Sequence, residues 1–113
     1  KKRDGLFKKL QEAVESNKAT EEDFVQLGFA HVGMAEYDEA IEQFDKALEK
    51  KKEYDIAYYG LGYANEKKGN KEEAKKFYEK ALEVSDEMIA AKEGLVRIEL
   101  GLEEEELVPR IKE

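Results

Sequence analysis

Cysteine is absent from this chain, so neither a disulfide nor a thiolate-bound metal can hold it together. That absence suits a reducing compartment, and a cytoplasmic location is the expectation. Tryptophan is also missing, and the single proline, Pro109, stands near the end, leaving the preceding chain without its strongest helix breaker. No run of about 18 apolar residues occurs and no apolar leader opens the chain, so no membrane partner is expected. His31 is the only histidine, with no second imidazole or thiol to share a metal. Ser16 and Ser85 stand apart from any base, and the glycines form no phosphate-cradling loop after a strand. Neither catalysis nor a cofactor is expected. Lys and Arg are outnumbered 20 to 28 by Asp and Glu. The resulting charge of −8 repels a phosphate backbone and argues against nucleic acid.

What the chain does have is Ala, Glu, Lys and Leu in a composition 41% hydrophobic and 42% charged, the balance of an all-helical fold with much exposed surface. Its length of 113 residues allows one domain with a modest core. Within that length the sequence repeats at an interval of 34. Laying 21–54 over 55–88 puts Phe24 on Tyr58, Leu27 on Leu61, Gly28 on Gly62 and Ala40 on Ala74. The same alignment puts Phe44 on Tyr78, Ala47 on Ala81 and Leu48 on Leu82. A period of this length predicts stacked helical hairpins in place of one globular core.

The register runs beyond the two full units. Shifted back, Leu6, Phe7, Leu10, Ala13 and Val14 fall under Ala40, Ile41, Phe44, Ala47 and Leu48. Residues 1–20 therefore read as the second helix of an incomplete preceding repeat. Shifted forward, Ala57, Gly60 and Leu61 reach Ala91, Gly94 and Leu95, so 89–113 reads as the first helix of a partial or capping unit plus an acidic tail. Val96 replaces glycine at position 8 of that unit, which keeps a partner helix from packing as closely there. The mid-repeat start and the missing initiator Met suggest an excerpt of a longer protein.

An aromatic residue at position 4, Leu-Gly at 7 and 8, Ala at 20, an aromatic at 24 and Ala at 27 together resemble the tetratricopeptide repeat. The stretches FVQLGFA, YDEAIEQFDKAL, YYGLGYA and KEEAKKFYEKAL carry the pattern. The chain departs from it in having Phe24 and Tyr58 for Trp, and Lys52 and Asp86 near the usual proline. The resemblance implies an all-α fold, a right-handed superhelical stack of antiparallel hairpins over 21–54 and 55–88. In physical terms, Gly at position 8 and Ala at position 20 are expected to face each other where the two helices cross. Phe44 and Tyr78 are expected to plug the space between hairpins.

Local signals set the helix ends. Thr20 before Glu21, Glu22 and Asp23 reads as an N-cap with a capping box. Asp38 is expected to cap the helix after the turn at 33–38, and Ser85 or Asp86 a helix starting near Glu87. Gly69 and Gly101 read as left-handed helix ends. Leu107-Val108-Pro109-Arg110 resembles a protease recognition site used in expression tags but reads as native.

In the family, positions 2, 5, 9 and 12 line a concave groove. Carried over, the first unit supplies Glu22, Val25, Phe29 and Val32, and the second Ile56, Tyr59, Tyr63 and Glu66. The partial unit supplies Ala90, Glu93, Arg97 and Leu100. Val25, Phe29, Ile56, Tyr59 and Tyr63 are then expected to form an apolar strip free of packing duty, with Arg97 orienting a bound peptide. The Lys, Asn and Arg set with which some family members hold a C-terminal carboxylate is not offered: Val25, Phe29 and Gly60 occupy three of those places. The resemblance therefore implies a module that binds a protein or peptide partner of hydrophobic character. The alternative is a self-assembling homo-oligomer, joined through the apolar edges of its end helices at Leu6, Phe7 and Leu10.

Overall fold

The computed structural model describes residues 2–103, and the tail bearing Pro109 and Leu107–Arg110 lies outside them. The described residues form six helices and no strand: α1 Lys2–Glu15, α2 Glu21–Gly33, α3 Tyr37–Lys50, α4 Asp55–Lys68, α5 Lys71–Val84 and α6 Ile89–Leu100. Consecutive helices are joined by short turns and pack side by side, so α2–α3 and α4–α5 are antiparallel hairpins. α2 touches α4 and α4 touches α6, which makes these first helices the inner layer of the stack. The second helices, α3 and α5, are wedged outside, each between the inner helices of two successive units.

The helix ends follow from local chemistry, with two corrections. α2 begins on a reciprocal capping box: the Asp23 N–H donates to Thr20 Oγ1 at 3.1 Å, and the Thr20 N–H donates to Asp23 Oδ2 at 2.9 Å. α3 starts at Tyr37 with no side-chain cap, so Asp38 does not play that part. Its carboxylate instead pairs with Lys68 at the end of α4, tying the turns of adjacent hairpins together. α6 starts at Ile89, later than Ser85 and Asp86 suggest, and Met88 precedes it without a side-chain cap. Gly69 and Gly101 end α4 and α6 in the left-handed region, as their sequence context indicates.

Three alanine pairs and two rings define the centre. Ala40, Ala47, Ala57, Ala74, Ala81 and Ala91 are fully buried, small enough for helix backbones to come close. Phe44 and Tyr78 are 0% exposed and plug the stack as expected. Glycines of the inner helices make room for these two rings. A Cβ on Gly28 would lie 2.5 Å from the Phe44 ring, and one on Gly60 would lie 2.4 Å from the same ring. Gly62 and Gly94 hold Tyr78 in the same way, at 2.7 and 2.5 Å. Glycine at position 8 therefore makes room for the aromatic ring at position 24 of its own hairpin. The ring needs a second glycine because it reaches the next hairpin as well.

Candidate binding surface

The inner helices present the residues expected to line the groove, but the stack divides them into two classes. Val25 is buried in the main core cluster beside Phe24, Ala40 and Phe44. Its apolar side chain thus has the packing duty that the sequence reading withheld. Ile56 is exposed, whereas Phe29, Tyr59 and Tyr63 are partly buried. These three rings form a continuous ladder along α2 and α4. Phe29 lies 6.1 Å from Tyr59, centroid to centroid, and Tyr59 stacks on Tyr63 at 5.9 Å with an interplanar angle of 20°.

The ladder rests on the plugs behind it. Phe29 meets Phe44 edge to face at 4.9 Å, and Tyr59 meets Tyr78 at 5.8 Å. Edge-to-face and offset pairs of this kind are each worth about 0.5–1.5 kcal/mol beyond the area they bury. Phe29 and Tyr59 are therefore structural on one side and surface on the other. Lys67, one helical turn on from Tyr63, places its ammonium 5.3 Å from the Tyr63 ring centroid.

Arg97 is 4% exposed and is committed within the protein. Its Nε donates to Glu66 Oε2 at 2.8 Å and a terminal nitrogen donates to Glu66 Oε1 at 2.9 Å, a forked pair joining α6 to α4. The Tyr78 hydroxyl donates to the same carboxylate at 2.6 Å, so α5 joins the network. Burial pushes the Glu66 carboxyl up, but hydrogen bonds from Arg97 and Tyr78 and the Arg97 charge outweigh it, and the group sits below the usual carboxylate range. Burial first, and then the Glu66 carboxylate, raise the Tyr78 hydroxyl well above its ordinary value. Arg97 thus fixes α6 on the stack, a role the sequence reading did not give it. A spacing of 31, one repeat less a turn, was the available signal: it places positions 12 and 9 of successive inner helices side by side.

His31 is held by a polar contact on one side and a ring on the other. Its Nδ1 is 2.8 Å from Glu36 Oε1, and its ring meets Phe7 of α1 edge to face at 5.5 Å. Among the described residues no group of three or more His, Asp or Glu is placed to hold a metal ion. None of the described helices is long and apolar enough to cross a membrane.

A family model of the tetratricopeptide repeat matches residues 25–88, more than half of the chain. The chain belongs to the tetratricopeptide repeat family. Tetratricopeptide repeats are in general non-catalytic scaffolds for protein–protein interaction, and the all-helical hairpin stack agrees with that class. Two solved structures of MamA share the fold. One superposes with a TM-score of 0.78 at 25% identity, covering 84% of this chain and 56% of the other. The second gives 0.67 at 33% identity, covering 74% and 46%. The chain thus spans about half the length of the MamA chains it matches. No curated protein matches it.

Proposed function

We infer that this chain is an interaction scaffold whose inner face holds a peptide of a partner protein against the ladder of Phe29, Tyr59 and Tyr63, with Ile56 at its edge. The observation that carries this reading is a row of three partly exposed rings stacked on a rigid base, across two consecutive repeats. Tyr and Phe supply large contact area with few rotors to freeze, which is why they concentrate where proteins dock. The base pre-orders them, because Phe44 and Tyr78 fix the ring planes from behind. Arg97 and Val25 support the surface from within and are not offered as peptide contacts.

The partner segment that fits is apolar or aromatic and extended or helical, since the ladder presents ring faces, with the Lys67 ammonium beside Tyr63. A display library of such peptides selected on the intact chain provides binders for the test. Amide shifts on titration are expected to cluster on α2, α4 and α6, and Tyr63→Ala is expected to weaken binding about tenfold, the size of one interface side chain worth roughly 1.4 kcal/mol. Shifts confined to α3 and α5, or an unchanged affinity in Tyr63→Ala, would refute the reading.

A further inference from the structure

The aromatic ladder runs across the stack in a register that its own contacts define. Phe29, at position 9 of α2, meets Tyr59, at position 5 of α4, thirty residues further on. The same step from Tyr63, at position 9 of α4, reaches Glu93, at position 5 of α6. α6 is pinned in that register, since Arg97 at position 9 forks onto Glu66 at position 12. The rung that follows the rings is therefore a carboxylate, and it is half-buried. Tyr59, at the same position with α2 on one side and α6 on the other, still shows part of its surface. A place at position 5 thus faces the groove whether or not α6 is the last helix of the stack. Arg97 stands one turn from Glu93 but turns its fork on Glu66, so two carboxylates share one guanidinium and a negative charge is left over on this side of the groove. A carboxylate drawn partly out of water gains from an opposite charge.

We propose that Glu93 selects partner segments carrying a lysine or arginine next to the apolar residues that the ladder holds. This rests on the peptide-binding reading and narrows it to a basic, apolar segment. The carboxylate pairs with the cation, while the ring faces of Tyr59 and Tyr63 lie against its alkyl stem. Lys67 shows within the chain that a Tyr63 face takes an ammonium, 5.3 Å from the centroid, and Lys51 does the same on Tyr54 at 4.7 Å. Lys67 itself lies one turn farther along α4, level with Arg97 by the register, so the partner's cation is directed to the Glu93 side. The wider field agrees: α2, α4 and α6 together hold seven acids against four Lys and Arg, a net −3. An acidic segment would bring like charge onto that face.

A random peptide display library selected on the intact chain is the probe. Selected sequences are expected to join an aromatic or aliphatic anchor to a Lys or Arg, and selection on Glu93→Lys is expected to replace that base by Asp or Glu. In a selected peptide, changing the Lys to norleucine is expected to weaken binding about fivefold on the wild type and to change nothing on Glu93→Gln. Amide shifts keep the two readings apart. Binders that shift α2, α4 and α6 but show no preferred base overturn the role of Glu93 and leave the groove reading standing. Binders that shift none of these helices remove both. A Glu93→Gln chain on which norleucine still weakens binding fivefold also overturns the proposal. Circular dichroism checks that the variants keep their helices; should Glu93→Lys lose them, the Glu93→Gln comparison decides alone.

Discussion

Phe44 lies between Gly28 and Gly60, and Tyr78 between Gly62 and Gly94, so the effect of adding one methyl group depends on which glycine receives it. In an ordinary helix interior, Gly→Ala stabilises by up to about 1 kcal/mol. Gly5 of α1, with nothing within 4 Å of its missing Cβ, is expected to follow that rule. Gly28→Ala is expected to reverse the sign and cost about 1–3 kcal/mol, because the new carbon would push into a ring that Gly60 already confines from the other side. Urea unfolding of the two variants decides it: equal shifts in the same direction would mean that the ring moves aside. A second residue-scale outcome concerns Ala35, which occupies the left-handed region at φ 60°, while its counterpart one repeat later is Gly69 at φ 99°. Ala35→Gly is expected to raise stability by about 1 kcal/mol, since only the side chain makes that conformation costly. An unchanged or lower midpoint in the same assay would count against it.

Helices α4, α5 and α6 meet at one carboxylate, and α6 depends on it. Replacing Glu66 with Gln removes the charge opposite Arg97 and leaves a buried guanidinium half satisfied, which is expected to cost about 3 kcal/mol near neutral pH. The cost should vary with pH in a defined direction. Glu66 has a folded value below its unfolded one, near 4.3, so its contribution is complete above that unfolded value. It is lost as pH falls through the unfolded value and then the lower folded one. The gap in melting temperature between wild type and Glu66→Gln is therefore expected to be widest at neutral pH and to close below about pH 4. A gap that is constant with pH would show that the pair contributes shape and not charge. The sequence contained both partners, and their positions in successive repeats were known from the register. What it lacked was the depth of the site, which turns a groove residue such as Arg97 into a fixed internal strut.

At the scale of the whole molecule, stability should run along the stack. A repeat array is held by contacts between neighbours, so a helix clasped on both sides opens less readily than one held on a single side. α3 is clasped between α2 and α4, whereas α1 rests on α2. Amide hydrogen exchange is expected to be slowest in α3 and α4 and fastest in α1, with a difference of two orders of magnitude or more if the opening free energies differ by about 3 kcal/mol. Uniform protection across all six helices would instead indicate a single cooperative unit.

The 34-residue interval was decided by the amino-acid order alone, and so were the helical character of each segment, the capping of α2 and the glycine endings of α4 and α6. These features depend on neighbours within a turn or two, and residue type settles them locally. Only the stacked hairpins decided that Val25 is core, that Phe29 and Tyr59 have one face inside and one outside, and that each ring is gripped by glycines of two different units. Those outcomes depend on the distance and angle at which one hairpin meets the next. Side chains dozens of residues apart set that geometry together, and no local pattern specifies it.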